Sequence, residues 1–334
     1  MKQLMNKNYY ELRLAINPEM EDIISDIFFE NFDCEGIVLA EETYKDLEMV
    51  NTTEGTLRVF LEAETYEDLK FDIENVLDLS RIEFLERGLT EEDLGSWDFV
   101  LEEKENQDWS QKWKEKWDVT HVTNKIAVVP DWIEYDAIPD EIIIKLEPGC
   151  AFGTGTHQTT QLCMKALEKY MKPGCSVADI GMGSGILSVL AKKLGANFVH
   201  GCDTDETVID VAYKNFIKNC EIDEDDNNTK TLYSDNNTLK RVSNDKFGFV
   251  FELGTADKIQ NQFDFVVANI LHFVLAEIMG DLKRLMNPGA YMSLSGILEE
   301  KKQMVLDAIE HEKLEIVEEI KQDQWTSYVV TRKD

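Results

Sequence analysis

The chain has 334 residues, with 66 Asp or Glu against 34 Lys or Arg, a formal charge of −32 and an apolar content of 43%. This length and apolar content suit two domains, each with its own core, and exclude a disordered chain. The acidic excess repels phosphate, which argues against direct binding to nucleic acid or an anionic membrane surface and leaves a basic protein as the easier partner.

In chain order, 9–16 (YYELRLAI) predicts a strand, and Pro18 then opens a helical pattern with Ile23, Ile24, Ile27 and Phe28 on one face. A strand over 36–40 follows, then an Asn/Thr/Gly turn, a strand over 56–61, and a helix over 66–79 with Leu69, Ile73, Val76 and Leu77 on one face. A last strand lies near Ile82 or Phe99. The order strand, helix, strand, strand, helix, strand is that of a small ferredoxin-like α+β domain, assigned to 1–103. Charge is concentrated here, with −20 in residues 1–120 and −12 in 121–334.

The stretch 102–117 (EEKENQDWSQKWKEKW) carries Trp109, Trp113 and Trp117 at a spacing of four, which places them on one helical face. It predicts a linker helix over 104–118 whose indoles pack against one or both domains; a substrate-facing aromatic wall is the alternative.

A second domain is expected over 119–334. Short strands at 125–129 and 141–146 precede strands at 177–180, 198–202, 247–253, 263–268 and 290–295. Helical patterns at 159–171, 186–194, 207–219 and 274–286 lie between most of them. Such alternation predicts a mainly parallel, doubly wound, Rossmann-like sheet. Residues 314–319 and 325–331 suggest a terminal antiparallel pair. The stretch 221–246, rich in Asp, Asn and Thr, reads as a mobile acidic surface insertion.

Cysteines stand at 34, 150, 163, 175, 202 and 220, without a C-x-x-C pair or a Cys/His cluster at ligand spacing. Neither a metal site nor a disulfide framework is expected. The polar opening lacks an apolar core, and no stretch approaches the length of a membrane span, so a soluble cytoplasmic protein is expected.

Chemistry concentrates after the strand at 177–180, in Asp179-Ile180-Gly181-Met182-Gly183-Ser184-Gly185 followed by a helix. Glycines allow a sharp turn and close approach of a ligand, and the helix N-terminus offers unpaired N–H groups. Asp203, 22 residues after Gly181 at the end of the next strand, can accept hydrogen bonds from both hydroxyls of a ribose. A dinucleotide site would need G-x-G-x-x-G, with glycine where Ile186 stands; the pattern here is G-x-G-x-G. S-adenosylmethionine is the alternative nucleoside ligand. The loop 148–160 (PGCAFGTGTHQTT) could hold its amino acid end, and 263–271 (FDFVVANIL) delivers Asn269 at a strand's carboxyl end, where ligands of such sheets bind.

The runs AFGTGTHQTT, DIGMGSGILS, GCDTDE, VVANIL and NPGAYMSLSGIL, in this order over 108–332, resemble the ribosomal protein L11 methyltransferase family (PrmA type) of class I S-adenosylmethionine-dependent methyltransferases. The resemblance implies cofactor contacts at Thr160, Gly181, Asp203 and Asn269, joined by Gly183 of the same turn, and a small N-terminal substrate-recognition domain. It also implies methyl transfer to lysine side chains and the N-terminal α-amine of a basic ribosomal protein. A monomer is expected, as is no direct contact with nucleic acid or membrane. Three features depart from the family pattern: Met182 where Cys is usual, His272 and Phe273 where small residues are usual, and the 221–246 stretch.

Methyl transfer from a sulfonium to an amine is an in-line displacement with a good leaving group, so alignment and exclusion of water matter more than a strong base. Asn269 is the candidate catalytic residue, because its side-chain carbonyl can accept an amine N–H and leave the lone pair aimed at the methyl. His157 is expected to shape its loop, His272 to pack, and Asp179 to brace the glycine loop through backbone N–H groups. The alternatives are a methyltransferase for another protein lysine or a small molecule, and a cofactor-binding protein without catalysis.

Overall fold

The computed structural model describes residues 8–17, 20–32, 34–40, 55–104, 118–146, 155–224, 226–234 and 238–333. The chain divides into two compact units, Met1–Trp117 and Asp118–Asp334. Residues 105–117 of the expected linker helix, with Trp109, Trp113 and Trp117, lie outside the described residues, as do 147–154 of the Gly/Thr loop.

In the first unit, β1 (Asn8–Ile16), α1 (Glu21–Asn31), β2 (Cys34–Ala40), β3 (Gly55–Ala63), α2 (Tyr66–Glu86), the single turn α3 (Glu91–Leu94) and β4 (Phe99–Lys104) follow one another. The sheet order β2-β3-β1-β4, antiparallel throughout, is the ferredoxin-like arrangement. The last strand is at Phe99, while Ile82 belongs to α2, a helix of 21 residues. Thr65 caps α2 by accepting the Asp68 N–H, and Leu69, Ile73 and Leu77, at a spacing of four, bury one face. Glu11 on β1 is 2% exposed and lies between two guanidinium groups, at 2.6 Å from Arg58 Nε and 3.2 Å from Arg13 Nε. A carboxylate so buried needs such partners.

The second unit opens with β5 (Thr120–His121), β6 (Ile126–Pro130) and β7 (Ile142–Leu146), which form a separate three-stranded sheet. Then come α4 (Gln158–Tyr170), β8 (Ser176–Ile180), α5 (Ile186–Lys193), β9 (Phe198–Asp203), α6 (Thr207–Asn219), β10 (Thr229–Tyr233), β11 (Leu239–Asn244) and β12 (Phe249–Leu253). The chain continues with β13 (Phe263–Asn269), α7 (His272–Arg284), β14 (Met286–Leu298), α8 (Lys302–His311), β15 (Glu315–Gln322) and β16 (Trp325–Thr331). The nine-stranded sheet has the order β10-β11-β12-β9-β8-β13-β14-β16-β15. From β12 to β14 it is parallel, and β16 and β15 close one side antiparallel.

Helices cover both faces, so successive strand residues enter opposite cores. Val177 and Val267 pack with Met164, Leu167 and Leu190 of α4 and α5, whereas Ala178 and Val266 pack with Leu275, Met279 and Val305 of α7 and α8. This is why the central strands read as unbroken apolar runs. Helix α8, absent from the expected elements, buries only Val305 and Ile309, a stripe too narrow to stand out among its charged neighbours.

The stretch 221–246 is not a simple surface insertion. Strands β10 and β11 pair antiparallel and extend the sheet beyond β12. Leu239 and Val242 enter the core, and the buried Asn244 donates to Asp226 and Thr229. The polar composition reflects the turns and the exposed face of an edge hairpin, where only alternate residues need be apolar. No helix among the described residues is long and apolar enough to cross a membrane.

Candidate active site

Strand order reverses direction at β8: β9 and β12 lie to one side, β13 and β14 to the other. The crevice at such a switch point, beyond the carboxyl ends of the strands, is where open α/β sheets bind ligands. Ile180 pairs with Cys202 on β9 and with Ala268 on β13, so Gly181, Asp203 and Asn269 stand at one level on three adjacent strands.

The glycine turn is held by its neighbour. Gly181 and Met182 both donate their N–H to the Cys202 carbonyl, at 2.9 and 3.1 Å. Gly183 donates its N–H to Asp203 Oδ2 at 2.9 Å, and Asp205 donates to Asp203 Oδ1 at 3.1 Å. The Thr204 N–H also acts on this carboxylate, which with about four acceptor positions keeps room for a further donor. Burial pushes the Asp203 carboxyl above its usual range, and the backbone N–H donors act in the opposite direction. Met182 is buried, and its sulfur occupies the space that a Cβ on Gly201 would need.

The segment after β13 is pressed from two sides. Gly181 has φ +70°, and a Cβ there would run into Ile270 Cγ2; Gly296, with φ +85°, leaves room for the Ile270 backbone carbonyl. Gly296 falls at a break in register between β14 and β16.

Asn269 is thereby seated at the strand end, 5% exposed. Its Nδ2 donates to Thr160 Oγ1 at 3.2 Å, while Oδ1 is buried without a hydrogen-bond partner among the described residues. Thr160 is fully buried in the first turn of α4, and Ser295 donates its hydroxyl to the Thr159 carbonyl at 3.0 Å. The structure thus pairs Gly183 with Asp203 and Thr160 with Asn269. Ser295 is not among the site residues expected from the sequence; a polar residue recurring at alternate positions of an apolar strand, in Ser293 and Ser295, is its signal.

His157 caps α4, its Nδ1 lying 2.7 Å from Thr159 Oγ1 and accepting the Thr159 N–H at 3.4 Å. The ring stands edge-on to Trp325, with centroids 5.0 Å apart. Burial lowers its pKa to about 4, so the imidazole is neutral at physiological pH and shapes the loop. His272 is the first residue of α7, half-buried, with its ring edge-on to Phe273. Asp179 braces α5 rather than the glycine turn: Ser188 donates its hydroxyl to Oδ2 at 2.7 Å, and Oδ1 has no partner among the described residues. Burial raises the Asp179 pKa to about 7 and that of Cys163, beneath Ser293, to about 12. No group of three or more His, Cys, Asp or Glu among the described residues could hold a metal ion.

A parallel sheet flanked by an antiparallel pair, with a glycine turn tied to an acid on the next strand, defines the class I, Rossmann-like S-adenosylmethionine-dependent methyltransferases. Comparison with known proteins narrows the class. The model of the family described as ribosomal protein L11 methyltransferase (PrmA) matches residues 8–333, and the chain belongs to that family. It is 32% identical to a ribosomal protein L11 methyltransferase of Clostridium perfringens, over 98% of this chain and 100% of that protein. It is 29% identical to one of Dictyoglomus turgidum, over 98% and 99%. Among solved structures, the ribosomal protein L11 methylase of Lactobacillus delbrueckii subsp. bulgaricus aligns with TM-score 0.55 and 28% identity, covering 65% of this chain and 100% of that one.

Proposed function

We propose that this enzyme methylates amino groups of ribosomal protein L11, at lysine side chains and at the N-terminal α-amine, with S-adenosylmethionine as donor. The observation that carries the reading is the Oδ1 of Asn269, a buried acceptor without a partner among the described residues, at the carboxyl end of β13 and level with the glycine turn. A buried acceptor without a donor costs free energy unless a ligand supplies one.

The residues fit a nucleoside amino acid. Asp203 would accept from the ribose, Gly181 and Gly183 would let the amino acid portion approach the backbone, and Thr160 and Asn269 would bound the site from α4 and β13. When bound, the cofactor supplies a methyl group on a positively charged sulfur. The protein's own task is to present an unprotonated amine. An α-amine has a pKa of about 7.7 to 8.0, whereas lysine, at about 10.4, must first lose solvent. Asn269 Oδ1 accepts one N–H of the neutral amine and so turns the lone pair. Its Nδ2 bonds to Thr160 Oγ1, which tethers the side chain to α4. The buried surroundings of Asn269 and Thr160 exclude water and favour the neutral amine.

The reading also assigns substrate recognition to residues 1–103, a linker to 104–118 and catalysis to 119–334, supported by the −20 charge of residues 1–120 facing a basic substrate. The test is to incubate the protein with labelled S-adenosylmethionine and L11 from cells lacking this activity, then map the label by mass spectrometry. Label on L11 amines is expected. L11 left unlabelled while cofactor binds would overturn the substrate assignment.

A further inference from the structure

Helix α2 carries three exposed apolar residues on the side away from its core-facing residues. Leu69, Ile73 and Leu77 fill the core, yet Phe71, Leu79 and Ile82 are 63%, 69% and 55% exposed. At 100° per residue these three fall within an arc of about 80° opposite the buried face, and they span about 16 Å along the axis. Single exposed apolar residues are common; here three share one side of one helix, interrupted by Asn75, and their exposure is costly in water.

The frame of the stripe is acidic. Glu67, Asp68, Asp72, Glu74, Asp78, Glu83 and Glu86 line the helix against Lys70 and Arg81, and all seven carboxylates are exposed. Lys70 pairs with Glu74 and Arg87 with Glu83.

We infer that this face of α2 is a docking surface for a basic, amphipathic segment of the substrate protein, whose apolar side covers Phe71, Leu79 and Ile82 while its lysines meet the flanking carboxylates. An apolar stripe in a charged frame is the form of a helix-in-groove or helix-on-helix contact. Charge complementarity selects the occupant: with 66 acidic against 34 basic residues, a second copy of this chain would bring like charges together. The inference rests on L11 being the substrate and names the surface that holds it.

The experiment compares the full-length protein with the triple variant Phe71→Ser/Leu79→Ser/Ile82→Ser, and with Asp72→Lys/Asp78→Lys. Direct binding of fluorescently labelled L11 is measured by anisotropy, alongside methylation kinetics and S-adenosylmethionine affinity by calorimetry. The expected result is a tenfold or greater weakening of L11 binding and rise in KM for both variants, with kcat and cofactor affinity within twofold. The charge variant should also lose most of the salt dependence of binding. Folding of the variants is checked by thermal melting, and the substituted side chains are all solvent-facing. If wild type binds L11 and the variants bind it equally well, the docking surface is wrong and the substrate stands. If wild type binds L11 through this face without methylating it, the surface stands and the proposed reaction falls. If wild type does not bind L11, both fall. Self-association lost in the triple variant, with L11 binding unchanged, would assign the stripe to a second copy and overturn the inference.

Discussion

Asn269 and Thr160 meet through one hydrogen bond, Nδ2 to Oγ1 at 3.2 Å, and this contact ties the amide at the end of β13 to the start of α4. Both residues are buried, and the bond joins two elements 109 residues apart, the end of β13 and the first turn of α4. An amide without that tether is free to swing away from the position in which its Oδ1 is proposed to accept.

Thr160→Val should therefore lower kcat by about tenfold, an effect equal to one lost hydrogen bond of about 1.4 kcal/mol, while Thr160→Ser retains most of the activity. Asn269→Ala should cost about 100-fold or more, because the acceptor itself is gone. Steady-state kinetics with saturating S-adenosylmethionine separates these outcomes. Equal rates for Thr160→Val and wild type would show that the tether does not position the amide.

Asp203 holds the turn by accepting the Gly183 N–H, and the same carboxylate is the one proposed to bind ribose. Asp203→Ala should weaken S-adenosylmethionine binding by about 10- to 100-fold, the value of one to two charge-assisted hydrogen bonds. Calorimetry reads this without turnover, and unchanged affinity would remove Asp203 from the ribose site.

Asp179 should make stability depend on pH in the sense opposite to that of an ordinary paired carboxylate. Its pKa rises from 3.8 to about 7 on burial, so between these values the folded state holds a proton that the unfolded state has released. The group's stabilising contribution is thus present below pH 3.8 and lost as pH rises toward 7. Asp179→Asn, which stays neutral, should gain in Tm relative to wild type between pH 5 and pH 8. A Tm difference independent of pH over that range would mean that Asp179 ionises normally in the fold.

Val242, fully buried on β11, tests whether the hairpin at the sheet edge belongs to the core. Val242→Asp should destabilise the catalytic unit by about 3 kcal/mol, because it places an unpaired charge among apolar side chains. A loss below about 0.5 kcal/mol in urea unfolding would return the hairpin to the status of a surface appendage.

Much of the site was legible because its chemistry is local. The run from Asp179 to Gly185, the strand ending in Asp203 and the strand ending in Asn269 each announce themselves within a few residues, through glycines that only a turn accommodates and polar groups at the ends of apolar runs. Central strands buried on both faces also stand out, as in Val266 to Ala268. The edge hairpin and α8 were hidden for the converse reason: one face is wet, so few apolar residues mark them.

The sequence by itself determined the class of fold, the family and the residues at the strand ends, since glycine spacing, capping and apolar periodicity are properties of neighbours in the chain. Only the tertiary structure decided what those residues do to one another. Ile270 lies between Gly181 and Gly296, Ser188 rather than the glycine turn takes Asp179, and Thr160 holds Asn269 across 109 positions. Phe71, Leu79 and Ile82 are exposed for the same reason: a helix shows its periodicity in the sequence, but which of its faces finds a core depends on the elements that pack around it.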